Sequence, residues 1–205
     1  MLIDAVVLAG GRASRLGGTS KPALRYGQST LLQTAIDAVS SARQTVVVGD
    51  AGEIEAAAPG ANVVVTREFP AFGGPAAAMA AGLDRLAVVH SRAADFTMIV
   101  ACDLPRCAEV VELLLAALPV DSDGVVAVSA DGHVQYLAGV YSTARLRECV
   151  SQHRDAGDLD GLSVRSLLAG LKPHAVADGN GSTDDVDTWP DAERLGVVAA
   201  HPIAK

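Results

Sequence analysis

Residues 8–21 read Leu-Ala-Gly-Gly-Arg-Ala-Ser-Arg-Leu-Gly-Gly-Thr-Ser-Lys, a run with three cations (Arg12, Arg15 and Lys21) and no acid. The chain around it is acidic, with 24 Asp and Glu against 16 Lys and Arg and a formal charge of -8. The basic run is therefore a local device and not part of a cationic face. Glycines let a backbone approach a ligand closely and turn its N–H groups toward an anion. Arg15 offers a planar fork to phosphate oxygens, and Lys21 a mobile point charge. These are the needs of a nucleotide's phosphates. Neither Gly-x-x-x-x-Gly-Lys-Ser/Thr nor Gly-x-Gly-x-x-Gly can be aligned here, and residue types alone leave a solvated, flexible loop as the alternative.

Asp103 is the second candidate. It follows Met98-Ile99-Val100-Ala101-Cys102 and stands two residues before Pro105, which prevents a strand from continuing. A carboxylate there projects beyond a strand end, where Mg²⁺ can take one or two carboxylates together with phosphate oxygens and water. A cap for a helix after Pro105 would look the same. Asp187, in Ser-Thr-Asp-Asp-Val-Asp-Thr-Trp, is a candidate metal ligand or acceptor-positioning group, with an acidic turn or a cap before Trp189 as its alternative. His90, His133, His153, His174 and His201 show no paired spacing. Phosphoryl-type transfer requires no protein nucleophile, so none is missing.

The elements that must hold these groups alternate. Apolar, β-branched runs predict strands over 4–8, 45–49, 62–66 and 96–105, with a last one near 173–177. Residues 124–129 and 133–141 predict an antiparallel pair joined through Asp131-Gly132. Helical spacing falls at 30–41, with Ser29 or Thr30 as cap, and at 53–58, 109–118, 143–152 and 162–171. Another helix starts at Pro75. Alternation of this kind predicts one three-layer α/β/α domain over 1–205, Rossmann-like, with a mostly parallel sheet and a more mixed C-terminal half. Its nucleotide-binding half covers about 1–105 and its acceptor-binding half about 106–198. Ligands of such sheets sit beyond the carboxyl ends of the strands, where the basic run begins.

Composition excludes several classes. Aromatic residues are 3% of the chain, too few for a base-stacking surface, and the acidic balance opposes any broad polyanion-binding face; no nucleic-acid partner is expected. The longest uncharged run, 69–83, is too short to span a bilayer. Cys102, Cys107 and Cys149 fit no zinc or disulfide pattern. With no basic and apolar leader visible, a cytoplasmic protein with no membrane partner is expected.

The spacing Leu8-Ala9-Gly10-Gly11, three residues, Arg15-Leu16-Gly17-Gly18, two residues, Lys21 resembles the nucleotide loop of the sugar-nucleotide-type nucleotidyltransferases. Among them it is most similar to the molybdenum cofactor guanylyltransferase family. Gly73-Gly74-Pro75, Cys102-Asp103-Leu104-Pro105 and the segment 185–195 match further family motifs in order. The resemblance implies transfer of GMP from GTP to the terminal phosphate of molybdenum-molybdopterin, with pyrophosphate released and Mg²⁺ as cofactor. It gives catalytic roles to Arg15, Lys21 and Asp103, nucleotide contacts to Leu8, Ala9, Gly10 and Gly11, and the ion to Asp103 and Asp187. Base reading falls to Gly49, Asp50, Arg67 and Glu68, where the chain departs from the family pattern. A CTP-using or sugar-phosphate relative is the first alternative, a non-catalytic nucleotide binder the second. Proteins that deliver or receive the cofactor are implied as partners.

Overall fold

A computed structural model describes residues 1–10 and 16–199. The chain opens with β1 (Ile3–Leu8), then a 3-10 turn (Lys21–Ala23), the short strands β2 (Arg25–Tyr26) and β3 (Ser29–Thr30), and α1 (Leu31–Ala38). Next come β4 (Thr45–Val48), α2 (Ala51–Ala57), β5 (Val64–Thr66), α3 (Gly74–Val89), β6 (Phe96–Ala101) and α4 (Cys107–Ala117). The second half holds β7 (Gly124–Val128), β8 (Val134–Ser142), α5 (Thr143–Ala156), α6 (Val164–Leu167), β9 (His174–Ala177), α7 (Trp189–Leu195) and β10 (Val197–Val198).

Seven strands form one sheet in the order β5-β4-β1-β6-β8-β7-β9. The pairs from β5 to β6 are parallel, β8 is antiparallel to both its neighbours, and β9 runs parallel to β7. This is the mostly parallel α/β sheet with a mixed C-terminal half that the pattern predicts. Alternate residues of β1 face opposite layers, as the period of a strand requires. Ala5 and Val7 pack with Leu32 and Ala35 of α1 and Val110 of α4, while Val6 and Leu8 pack with Met79 and Leu83 of α3 and Leu146 of α5.

The parallel register decides where chemistry can sit. Leu8 pairs with Ala101, and the Cys102 N–H donates to the Leu8 carbonyl at 3.0 Å, so β1 and β6 end side by side. Gly49, at the end of β4, also comes close. A Cβ on it would stand 3.2 Å from the carbonyl carbon of Ala9. A third, smaller core joins Leu16, Leu24, Leu31, Val186, Ala192 and Val197 beneath the separate sheet β10-β2-β3. That sheet was not expected, because two-residue strands leave no period to read. Its core packs the exit of the basic run against the segment before α7.

Other differences are in length. Helix α1 ends at Ala38 and not near 41, and the stretch 162–171 holds only the four-residue α6, capped by Ser163. Thr30 is the α1 cap, accepting from the Gln33 N–H. All three cysteines are buried and free. Burial pushes the Cys107 thiol up to about 12 and Cys102 higher still, which suits small apolar residues rather than nucleophiles.

Helix α3 packs on β1 through Gly82, where a Cβ would stand 2.5 Å from Cγ1 of Val6. Alanine is the better helix former, yet Gly82→Ala should destabilise the fold by about 1–3 kcal/mol through overpacking. A denaturant melt of the variant checks this, and an unchanged or raised midpoint would show that α3 shifts without cost.

Candidate active site

A cleft of about 520 Å³ opens at the carboxyl ends of β1 and β6. Leu8, Ala9 and Gly10 line it together with Lys21, Asp103 and Asp187. Three separate parts of the chain supply this polar group. Lys21 is held by the 3-10 turn, which has Pro22 buried at its start. Asp103 follows β6, and Asp187 immediately precedes Thr188, the cap of α7.

The Lys21 ammonium lies 3.1 Å from Oδ2 of Asp103 and 2.5 Å from Oδ1 of Asp187. Burial works against the charge on Lys21, but the two carboxylates outweigh it and hold its pKa above the ordinary lysine value. The amine therefore stays protonated throughout the neutral range. Asp103 is not a helix cap, since α4 begins at Cys107 after Arg106 and has no side-chain cap bond. Nor does Asp187 cap α7. Thr188 does so, in a reciprocal box with Asp191.

Asp185 joins the group, although the sequence reading passed over it. One carboxylate oxygen each from Asp103, Asp185 and Asp187 lies within 4.8 Å of the others. Asp185 and Asp187 flank Val186, which is fully buried, and both bring a carboxylate oxygen to the Asp103 side of the segment. The Val186 N–H donates to the Asp103 carbonyl at 3.0 Å and ties the segment to the end of β6. Desolvation, then repulsion from Asp103 and Asp187, raises the Asp185 pKa above its ordinary value even though the residue is exposed. Three carboxylates crowded around an ammonium form a hard oxygen donor set that fits Mg²⁺ or Mn²⁺. Lys21 stands in that set as a tethered cation.

The other expected positions divide. Glu68 lines the cleft, and its Oε1 accepts from the Phe72 N–H at 3.0 Å. Phe72 has φ 65°, a left-handed value that a bulky side chain rarely adopts, and its ring also lines the cleft. Asp50 does not face the cleft. It caps α2 through the N–H groups of Gly52 and Glu53 and pairs with Arg67 at 3.0 Å, while the Arg67 guanidinium stands 5.5 Å from the Phe72 ring centroid. Gly49 packs behind Ala9 and is not a lining residue. Glu53 does line the cleft, with Oε2 accepting from the Ser20 hydroxyl at 3.0 Å. Only its place one turn after Asp50 could have pointed to it. Gly11 and Arg15, with Arg12, lie outside the described residues. None of His90, His133, His153 and His174 lines the cleft.

A mostly parallel α/β sheet with a polar cleft beyond the carboxyl ends of β1 and β6 has its ligand site where nucleotide-binding sheets of this kind have theirs. The chain belongs to the MobA-like NTP transferase domain family, whose model matches residues 5–175. A molybdenum cofactor guanylyltransferase of Bradyrhizobium sp. strain ORS 278 is 34% identical over 148 residues, 71% of this chain and 68% of that protein. Among solved structures, Rv0371c of Mycobacterium tuberculosis H37Rv is 28% identical with a TM-score of 0.67, over 95% of this chain and 97% of that one. A structure of the same protein described as a complex with manganese matches at 25% identity and a TM-score of 0.63, covering 95% and 98%. The family match ends at 175, before Asp185 and Asp187. No helix among the described residues is long and apolar enough to cross a membrane.

Proposed function

We propose that this protein is a divalent-metal-dependent guanylyltransferase of the molybdenum cofactor. The observation that carries the reading is the convergence of Lys21, Asp103 and Asp187 in the cleft at the end of β1. The guanylyltransferase relatives support the donor and the acceptor. A terminal phosphate oxygen of molybdopterin forms a bond to the α-phosphorus of GTP, the α–β bridging P–O bond breaks, and pyrophosphate leaves. The protein's work is placement and charge stabilisation. Gly10, Gly11 and Arg15 hold the β- and γ-phosphates. Lys21 turns from the carboxylates toward the α-phosphate, where negative charge must be held as the bond changes. Asp103 and Asp187, with Asp185 beside them, hold the ion. When bound, Mg²⁺ supplies charge neutralisation on the phosphate oxygens. The half of the chain beyond 105, which contributes Leu137 and Asp187 to the cleft, receives the acceptor.

Guanine offers N1–H and N2–H₂ donors. The carboxylates of Glu68 and Glu53 line the cleft, and each offers more lone-pair sites than the one bond it accepts from Phe72 or Ser20 uses, so they are the side-chain acceptors for the base. Cytosine presents N3 and O2 as acceptors where guanine has its paired donors, keeps only N4–H₂ as a donor, and would leave at least one such carboxylate unpaired, at about 1–3 kcal/mol for each unsatisfied group. With molybdopterin as acceptor, GTP should exceed CTP by about tenfold or more in pyrophosphate release, and sugar 1-phosphates should release little. A preference for CTP would assign the protein to cytidylyl transfer. Efficient use of a sugar phosphate would remove molybdopterin, and no pyrophosphate with any pair would leave a nucleotide-binding protein.

A further inference from the structure

Between β9 and α7 the chain returns to β6 through a turn without helix or strand, and one buried carboxylate organises it. Asp178 is 2% exposed, and its N–H donates to the Val128 carbonyl at 2.8 Å. Its Oδ1 accepts from the Asn180 N–H at 3.2 Å and the Ser182 hydroxyl at 2.8 Å. Its Oδ2 accepts from both the N–H and the hydroxyl of Thr183 at 2.8 Å. Ser182 and Thr183 are buried as well. Burial opposes the charge on Asp178, yet the Thr183 and Ser182 donors outweigh it and hold the carboxyl down at about 2. A buried carboxylate whose oxygens each take two internal donors is fixing backbone, not awaiting a ligand.

What it fixes is the approach to the acids. Two residues after Thr183 comes Asp185, and four after comes Asp187. From the outer side, Nη1 of Arg106 donates to the Asn180 carbonyl at 2.6 Å, and Arg106 itself stands three residues after Asp103. Downstream, the Thr188–Asp191 box holds the start of α7. The run 185–187 is thus held at both ends, and it touches β6 through the Val186–Asp103 bond.

We propose that Asp178 is a positioning residue for the acidic group. It sets the register in which 185–187 passes Asp103, and with it the spacing of the three carboxylates. The proposal rests on the metal reading above for one of its two readouts only.

Asp178→Ala and the milder Thr183→Val are compared with the wild type as full chains. Amide hydrogen exchange is read at Val186 and, as reference, in β1; Mn²⁺ binding is read without nucleotide. Asp178 bonds none of the three acids itself. Loosening the segment that carries two of them should therefore raise the Mn²⁺ dissociation constant several-fold in Asp178→Ala, short of the about 10-fold or more lost with a group bonded to a ligand, and less in Thr183→Val. Val186 should lose protection while the β1 amides keep theirs, the pattern of local rather than global opening. Wild-type protection at Val186 in Asp178→Ala would overturn the proposal. So would an equal loss through β1, which makes Asp178 a general stabiliser. If Asp178→Ala does not fold, Thr183→Val decides by the same criterion. A wild type that binds no Mn²⁺ ends the metal reading alone, and Val186 exchange still decides the role of Asp178.

Discussion

Asp103→Asn lowers metal-dependent turnover by about 10²–10³, the loss typical of one preorganised electrostatic contact in a transfer site. The substitution is chosen to keep shape. The Asp103 backbone still accepts from Val186, and Lys21 keeps its shorter bond to Asp187. What disappears is one anionic oxygen of the three that lie within 4.8 Å. The lost ion pair is partly exposed, so its effect on stability should be about 1 kcal/mol or less. A thermal melt should therefore coincide with that of the wild type while the rate collapses. Raising Mg²⁺ should recover part of the rate, because Asp185 and Asp187 remain. A variant that turns over normally with Mg²⁺ would remove Asp103 from the site; a collapsed rate accompanied by a collapsed melt would make it structural.

The parts of this site that could be read in the sequence are those whose signal is local. Val6, Val7, Leu8 and Ala9 run straight into two glycines, and Met98 to Cys102 runs into an acid with a proline two residues on, so both strand ends are visible. Parallel pairing of the two strands, with Leu8 opposite Ala101, then brings Asp103 to the strand end where the glycines begin. Asp50 shows the limit of that reasoning. Its place after β4 suggests a base-reading carboxylate, but the same place makes it the cap of α2, and a cap spends its oxygen on Gly52 and Glu53. Glu53 faces the cleft because a helix turn carries it there, a rotation that no motif spells out. Asp185 was hidden for another reason. In Asp184-Asp185-Val186-Asp187 any acid can face solvent, and only the burial of Val186 under the small third core settles which two face Asp103. Asp178 is harder still, since Asp-Gly-Asn-Gly-Ser-Thr reads as an exposed loop by composition. Its burial follows from β9 pairing with β7, a contact between residues about fifty apart.

Lys21→Ala separates two jobs that one ammonium performs. In the structure Lys21 bridges Asp103 and Asp187, the oxygens that the ion requires. An ammonium and a divalent ion cannot both occupy that place, because like charges a few ångströms apart repel by several kcal/mol at the effective dielectric of a partly buried site, about 20. Entry of the ion must therefore displace Lys21, and the phosphates give the released charge a new partner. Two results follow for the alanine variant. Turnover with saturating GTP should fall about 10²–10³, with a smaller change in KM, because the charge is aimed at the reacting phosphorus. Mn²⁺ affinity measured without nucleotide should rise instead of falling, since the competing cation is gone and all three carboxylates remain. The opposite signs are the test. If KM rises with kcat unchanged, Lys21 binds ground-state phosphate only and the α-phosphate assignment fails. If Mn²⁺ affinity falls together with turnover, Lys21 is a strut that holds Asp103 and Asp187 in place, and the ion does not compete for its position.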